Sequence, residues 1–222
     1  MQLAARPQAV IFDMDGLMLD SERALLDCLA EVSGEAGQAL PGPFLLSLIG
    51  SSDAVTRQRI AGLVGAEAGD ALLQASYARY DSIVAAGVPH RPGIIDLLDT
   101  LVAHGVPRAV ATSTRRPLAL RKLEAAGLLP YFAHVATSSD VAHPKPAPDI
   151  YLLAAQKLGI APRHCLALED SPIGVRAALA AGMSVIQVPD LLAPDDSVRA
   201  LGHRIVASLD EVRGLLQPLL AV

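Results

Sequence analysis

The feature that most restricts how this chain can fold is a series of short apolar, β-branched runs, each closing on a polar residue or a glycine. They are Ala9 to Phe12, Ala109 to Ala111, His134 to Ala136, Cys165 to Leu168, Ser184 to Val188 and Arg204 to Val206. Most are separated by amphipathic segments of helix length. Ile94, Leu97, Leu98 and Leu101 repeat at helical spacing from Gly93 until His104 and Gly105, and similar patterns run from Pro117 to Gly127, Pro148 to Gly159 and Pro172 to Gly182. Each closes on a glycine, as a helix C-cap does. Strands buried on both faces and alternating with helices imply an α/β chain, a parallel sheet with helices on both sides.

One connection breaks the rhythm. The first run ends at Phe12 and the next begins only at Ala109, whereas connections in such folds are a few residues plus one helix. The intervening residues are helical in pattern: Arg23 to Ala36, Phe44 to Ile49, Ala54 to Leu63 and Ala68 to Ala86. The expectation is a discontinuous core of residues 1–16 and 90–222 with a helical domain inserted at 17–89. Such an insert, at the carboxyl end of the first strand, is placed where ligands bind in this architecture and would act as a lid. No internal repeat or low-complexity tract is visible, although Ala and Leu dominate throughout.

Bulk composition narrows the function. Lys and Arg number 18 against 23 Asp and Glu, a net charge of -5 with no basic block, and aromatic residues make up 3%. Nucleic acid is therefore a poor partner, because it requires clustered positive charge or stacking rings. No apolar stretch approaches the roughly 20 residues that span a bilayer, and the first residues lack the apolar segment of a secretory signal. A soluble, cytoplasmic protein is expected. Cys28 and Cys165 fit no metal-ligand spacing and read as small buried side chains in a reducing compartment.

The chemistry lies at the ends of the apolar runs. Asp13-Met14-Asp15-Gly16 follows the first, so two carboxylates leave a buried strand two residues apart. In a continued strand both point to one side and repel each other, and a hard divalent cation is the usual compensation. An acidic turn is the plain alternative, since Asp and Gly favour turns. After the second run come Thr112, Ser113 and Thr114, hydroxyls leading into a helix, suited either to holding a phosphoryl group or merely to capping. Lys145, one of three lysines with Lys122 and Lys157, stands between Pro144 and Pro146, pinned where it could hold a fixed positive charge, or else simply a solvated loop residue. The fourth run ends in Glu169 and Asp170, a second acidic pair. Asp170 is also placed to cap a helix ahead of Pro172. The functional reading prevails by convergence: acids, hydroxyls, a lysine and more acids at successive strand ends.

These segments resemble the haloacid dehalogenase-like hydrolase superfamily, in the branch of β-phosphoglucomutases and phosphoglycolate phosphatases. The matching stretches are Val10 to Glu22, Ala111 to Thr114, Lys145 to Tyr151 and Leu168 to Gly174. They occur in the family's order, with a helical insert where the family carries its cap. The resemblance implies a Rossmann-like core and a magnesium-dependent phosphatase acting on a small phosphorylated metabolite, such as a sugar phosphate, through an aspartyl-phosphate. It implies that Asp13 attacks phosphorus while Asp15 protonates the leaving oxygen and then activates water. Thr112 and Lys145 share the phosphoryl charge, with Ser113 and Thr114 as further contacts. Mg²⁺ is implied on Asp13, Asp15 (through its backbone carbonyl), Asp170 and Glu169, the last through water.

Departures within the family discriminate among its chemistries. Haloacid dehalogenases lack the second aspartate, so Asp15 argues against them. Phosphonoacetaldehyde hydrolases need a cap lysine, and no lysine precedes Lys122. Leu25 and Asp53 stand where a mutase has a histidine and an arginine, which favours hydrolysis over a β-phosphoglucomutase-like transfer, although Arg23, Arg57 and Arg79 are candidate anion contacts. A non-catalytic binding protein on the same fold would first lose an acid or the lysine, and none is lost. Gly50, Ser51 and Ser52 are the candidate substrate loop of the insert, or else a turn between two helices. Arg115, Arg116 and His143 read as solvated or helix-start residues. A monomer or weak homodimer is expected.

Overall fold

The computed structural model describes residues 5–49 and 53–221, without the side chains of residues 53 and 54. In chain order the elements are β1 (Ala9–Phe12), α1 (Ser21–Glu35), α2 (Gly42–Leu46), α3 (Asp53–Val64), α4 (Ala66–Ala86), α5 (Ile94–Ala103), β2 (Arg108–Thr112), α6 (Arg116–Ala125), β3 (His134–Thr137), α7 (Asp149–Leu158), β4 (Cys165–Glu169), α8 (Pro172–Ala180), β5 (Ser184–Gln187), α9 (Asp196–Arg199), β6 (Arg204–Ile205) and α10 (Leu209–Leu220). Contacts divide the chain into two units, one running to Asp20 and resuming at Pro89, the other Ser21–Val88.

The first unit is built on a parallel sheet of order β3-β2-β1-β4-β5-β6. All four residues of β1 are fully buried, as a strand covered on both faces requires. In register, Phe12 lies beside Val110 of β2 on one side and Leu168 of β4 on the other. The chain runs from β1 outward through β2 to β3, then crosses back to β4 on the far side of β1. This reversal opens a crevice at the carboxyl ends of β1 and β4, the position at which open α/β sheets bind ligands. Helix α7 covers β1, β2 and β3 with Ile150, Tyr151, Ala154 and Ala155 buried at helical spacing.

Two helices exceed the sequence expectation, α9 and α10. Helix α10 buries Leu209, Val212, Leu216 and Leu220 and packs on α5. Pro218, which reads as a breaker, falls in its last turn. Residues 17–20 group with the sheet. Leu17, Met18 and Leu19 are buried, and Leu19 bridges both Asp15 and His90. The two strands of chain linking the units lie side by side, the Asp20 N–H donating to the Pro89 carbonyl at 2.9 Å and that of Arg91 to Met18 at 2.9 Å.

Among the described residues of the second unit the regular elements are all helices. Leu29, Leu40, Leu45, Leu48, Ile60 and Leu73 form its apolar cluster. Helices α3 and α4 approach closely at Gly69, where a Cβ would lie 3.2 Å from the Ala61 nitrogen. Its charges lie outside: Arg79 pairs with Glu31 at 3.1 Å and Glu35 at 2.8 Å, and Arg57 pairs with Asp70. A cavity of about 140 Å³ is lined by Glu22, Leu25, Leu48, Thr56, Ser76 and Tyr77, among others. Gly50, Ser51 and Ser52, the candidate substrate loop, lie outside the described residues.

Candidate active site

The strand ends of the sheet unit bring the expected residues together. Asp13, one residue past β1, has its N–H bonded to the Leu168 carbonyl of β4 at 3.0 Å. Glu169 ends β4 and Asp170 follows it. The carboxylates of Asp13, Glu169 and Asp170 supply oxygens within 4.8 Å of one another. Lys145 reaches in from its loop, its Nζ donating to Asp13 Oδ1 at 2.5 Å and to Glu169 Oε1 at 2.6 Å. Lys145, Asp13 and Glu169 are all nearly excluded from water.

Two glycines permit this crowding. Gly16 has φ +85°, a conformation that disfavours any Cβ, and a Cβ there would lie 2.4 Å from Asp170 Oδ2. At Gly174 a Cβ would fall 1.7 Å from Glu169 Oε1. The cap of α8 belongs to Ser171, whose hydroxyl accepts from the Gly174 N–H at 3.1 Å. The structural alternative for Asp170 is thereby met by its neighbour. Glu169 is held further by the Tyr151 hydroxyl at 2.7 Å and by the N–H and hydroxyl of Ser171 at 3.2 and 3.0 Å. Gln187 donates to the Asp170 carbonyl at 2.9 Å.

The electrostatics are those of crowded, buried carboxylates around one ammonium. Burial pushes the Asp13 carboxyl up to about 8, the Lys145 charge pulling against this and the Glu169 charge adding to it. Burial alone would push Lys145 down, but Asp13 and Glu169 raise it above the ordinary lysine range. Tyr151 is raised by burial and by the Glu169 charge, so it stays a phenol donor. Formally, three carboxylates face one ammonium, leaving two negative charges, in a set of hard oxygen donors. A divalent cation fits this residue set.

Asp15 has a different setting. Lys122 Nζ donates to its Oδ1 at 2.7 Å, and Thr114 Oγ1 donates to its Oδ2 at 2.6 Å. Thr112 is buried, and its hydroxyl accepts from the Thr114 N–H at 3.0 Å. Thr114, expected at a phosphoryl group, is thus a partner of Asp15. Ser113 is exposed beside them. Arg116 bonds Asp140 and the Val135 carbonyl, and His143 bonds Asp149 at the surface.

A family model for the haloacid dehalogenase-like hydrolases matches residues 7–182. The chain is a haloacid dehalogenase-like hydrolase. This hydrolase is 35% identical to hexitol phosphatase A of Escherichia coli (strain K12) over 96% of either chain. It is also 35% identical to the fructose-1-phosphate phosphatase of the same organism, over 82% of this chain and 97% of that protein. Among solved structures, a haloacid dehalogenase family hydrolase from Deinococcus radiodurans R1 with bound phosphate and sodium superposes with a TM-score of 0.80. It shares 30% identity, and the match covers 96% of this hydrolase and 98% of that chain.

Two residues of the site escaped the sequence reading. Lys122 occupies the buried face of α6 with Ala119 and Leu123, and a lysine at a core position of a helix is the signal that could have found it. Tyr151 sits on the buried face of α7, where an aromatic reads as core.

Proposed function

We propose that this hydrolase cleaves a small phosphomonoester, of the sugar or sugar-alcohol phosphate class, through an aspartyl-phosphate on Asp13. The reading rests on the convergence of Asp13, Lys145, Glu169 and Asp170 at the β1/β4 crevice. It is supported by the phosphatases among its relatives. Asp13 Oδ attacks phosphorus, and the bond from phosphorus to the alkoxide oxygen breaks. Asp15 gives its proton to that oxygen, then accepts one from the water that attacks the phosphoryl group, releasing inorganic phosphate and restoring Asp13. Lys145 screens Asp13 so that an anionic ester can approach it, and Thr112 with Lys145 shares the charge on the transferring group.

Asp13, Asp170 and the Asp15 carbonyl, with Glu169 behind them, would hold Mg²⁺. When bound it would offset the negative charge of the phosphoryl oxygens. Ser113 is a further phosphoryl contact in this reading, and substrate choice is assigned to the helical unit.

The test is inorganic phosphate release from a panel of hexose, hexitol and nucleotide monophosphates. Steady release with Mg²⁺, reversibly stopped by chelator, is expected. D13N should lower turnover by about three orders of magnitude or more while remaining folded. Isomerised sugar phosphate without phosphate release would instead establish a mutase, and substantial turnover in D13N would remove the nucleophile assignment.

A further inference from the structure

We propose that Lys122 is a positioning residue for Asp15, clamping that carboxylate from α6 while Thr114 clamps it from the end of β2. The inference deepens the proposed function and rests on Asp15 acting as the acid of that reading.

The observation is a fork closed on both prongs. Each oxygen of Asp15 has its own donor, Lys122 Nζ on Oδ1 at 2.7 Å and Thr114 Oγ1 on Oδ2 at 2.6 Å. Thr114 is itself tied, its N–H donating to the buried Thr112 hydroxyl at 3.0 Å. The two donors come from different elements, so the carboxylate is fixed in the plane of its oxygens as well as in direction. Lys122 is unlike a surface lysine. Only 6% of its side chain is exposed, and it stands on the helix face that carries Ala119 and Leu123. Burying an ammonium there costs free energy that an apolar side chain would not. Packing alone therefore does not account for it, whereas a fixed charge at Asp15 does.

The consequence concerns proton transfer. An acid contributes only if its oxygen is within hydrogen-bond reach of the leaving atom, and small displacements lose rate steeply. Lys122 gives up no proton and touches no substrate atom in this role. It holds the group that does. Its effect must then depend on how much the leaving group needs a proton. A sugar or hexitol alkoxide needs one. A p-nitrophenolate leaves without.

The experiment compares kcat/KM for a hexitol phosphate and for p-nitrophenyl phosphate in wild type, K122M and K122R. K122M is expected to lower the hexitol phosphate value by about tenfold to a hundredfold. The p-nitrophenyl phosphate value should fall by less than about threefold. K122R, which keeps a cation at that place, should recover part of the lost ratio. Activity on p-nitrophenyl phosphate also reports a folded site, and K122Q carries the same comparison if methionine is not accommodated. An equal fall for both esters, or no fall for either, overturns the inference. D15N separates it from the reading beneath. If D15N shows no bias between the esters, the acid role of Asp15 fails. If D15N shows the bias and K122M does not, Lys122 alone is removed.

Discussion

The two units of this chain place their charges in opposite ways. The sheet unit carries Lys145, Asp13, Glu169 and Lys122 nearly out of water, and crowds two of those carboxylates together with Asp170. The helical unit keeps its ion pairs at the surface, Arg57 with Asp70 and Arg79 with Glu31 and Glu35, around an interior of leucines and Ile60. Surface pairs contribute little stability, while buried ones return their desolvation cost only when geometry and hydrogen bonding are good. The helical unit is thus held by apolar burial. The sheet unit accepts a costly interior because its strand ends must present fixed charges.

The contrast is tested most strongly in the helical interior. Ile60 on α3 is fully buried within the cluster of Leu29, Leu40, Leu45, Leu48 and Leu73. I60A removes three carbons and leaves a void that the surrounding helices fill only in part, an expected loss of about 3 kcal/mol. Chemical denaturation followed by circular dichroism measures it. A loss under about 1 kcal/mol would show that something other than this cluster holds the helices together.

A smaller effect, of reversed sign to local expectation, is predicted in the sheet unit. Gly174 lies in the first turn of α8, where alanine is the better helix former by about 1 kcal/mol. Its absent Cβ leaves room for the Glu169 carboxylate, whose atoms would be met at 1.7 to 2.2 Å. G174A should therefore destabilise by about 2 kcal/mol. It should also slow phosphate release by about tenfold, because Glu169 must leave its place between Lys145, Tyr151 and Ser171. A more stable G174A with full activity would mean that the carboxylate moves freely, and that the fixed-charge account of this unit is wrong.

What the sequence disclosed follows the same division. Strand runs buried on both faces leave a continuous apolar signal, so β1, β2 and β4 and the acids and hydroxyls at their tips were legible, and the sharp turn was marked by Gly16. The residues that hold those groups were not. Tyr151 has the spacing of a core aromatic, and nothing local distinguishes a phenol that packs from one that also donates to Glu169. Lys122 reaches Asp15 across more than a hundred positions, a contact created only by α6 packing on the sheet. Thr114 was legible as a hydroxyl near the site but not as a partner of Asp15, because the loop geometry decides which way it donates. In the helical unit, four helices could be read from periodicity. Its cavity, which depends on how those helices pack, could not.

The smallest predicted effect separates the ion pairs of the two units by pH. Asp140 accepts hydrogen bonds from Arg116 and from the N–H and hydroxyl of Thr137, the latter two at 2.8 Å. Burial pushes its carboxyl up, but the bonds from Arg116 and Thr137 outweigh this and bring it down from an ordinary 3.8 to about 2. A carboxyl lowered in the folded state stabilises the fold above its unfolded value and loses that contribution as pH falls through its folded value. D140N should then cost about 1–2 kcal/mol near neutral pH, with the difference from wild type shrinking below about pH 4, mostly lost by about pH 2 and gone only about a unit lower. In the helical unit Arg79 also holds the Glu35 carboxyl low through a hydrogen bond. That pair is open to water and salt, so E35Q should show a far weaker pH-dependent difference. Equal pH dependence for the two variants, read from unfolding at matched ionic strength, would erase the distinction between the sheet unit's partly buried charges and the helical unit's exposed ones.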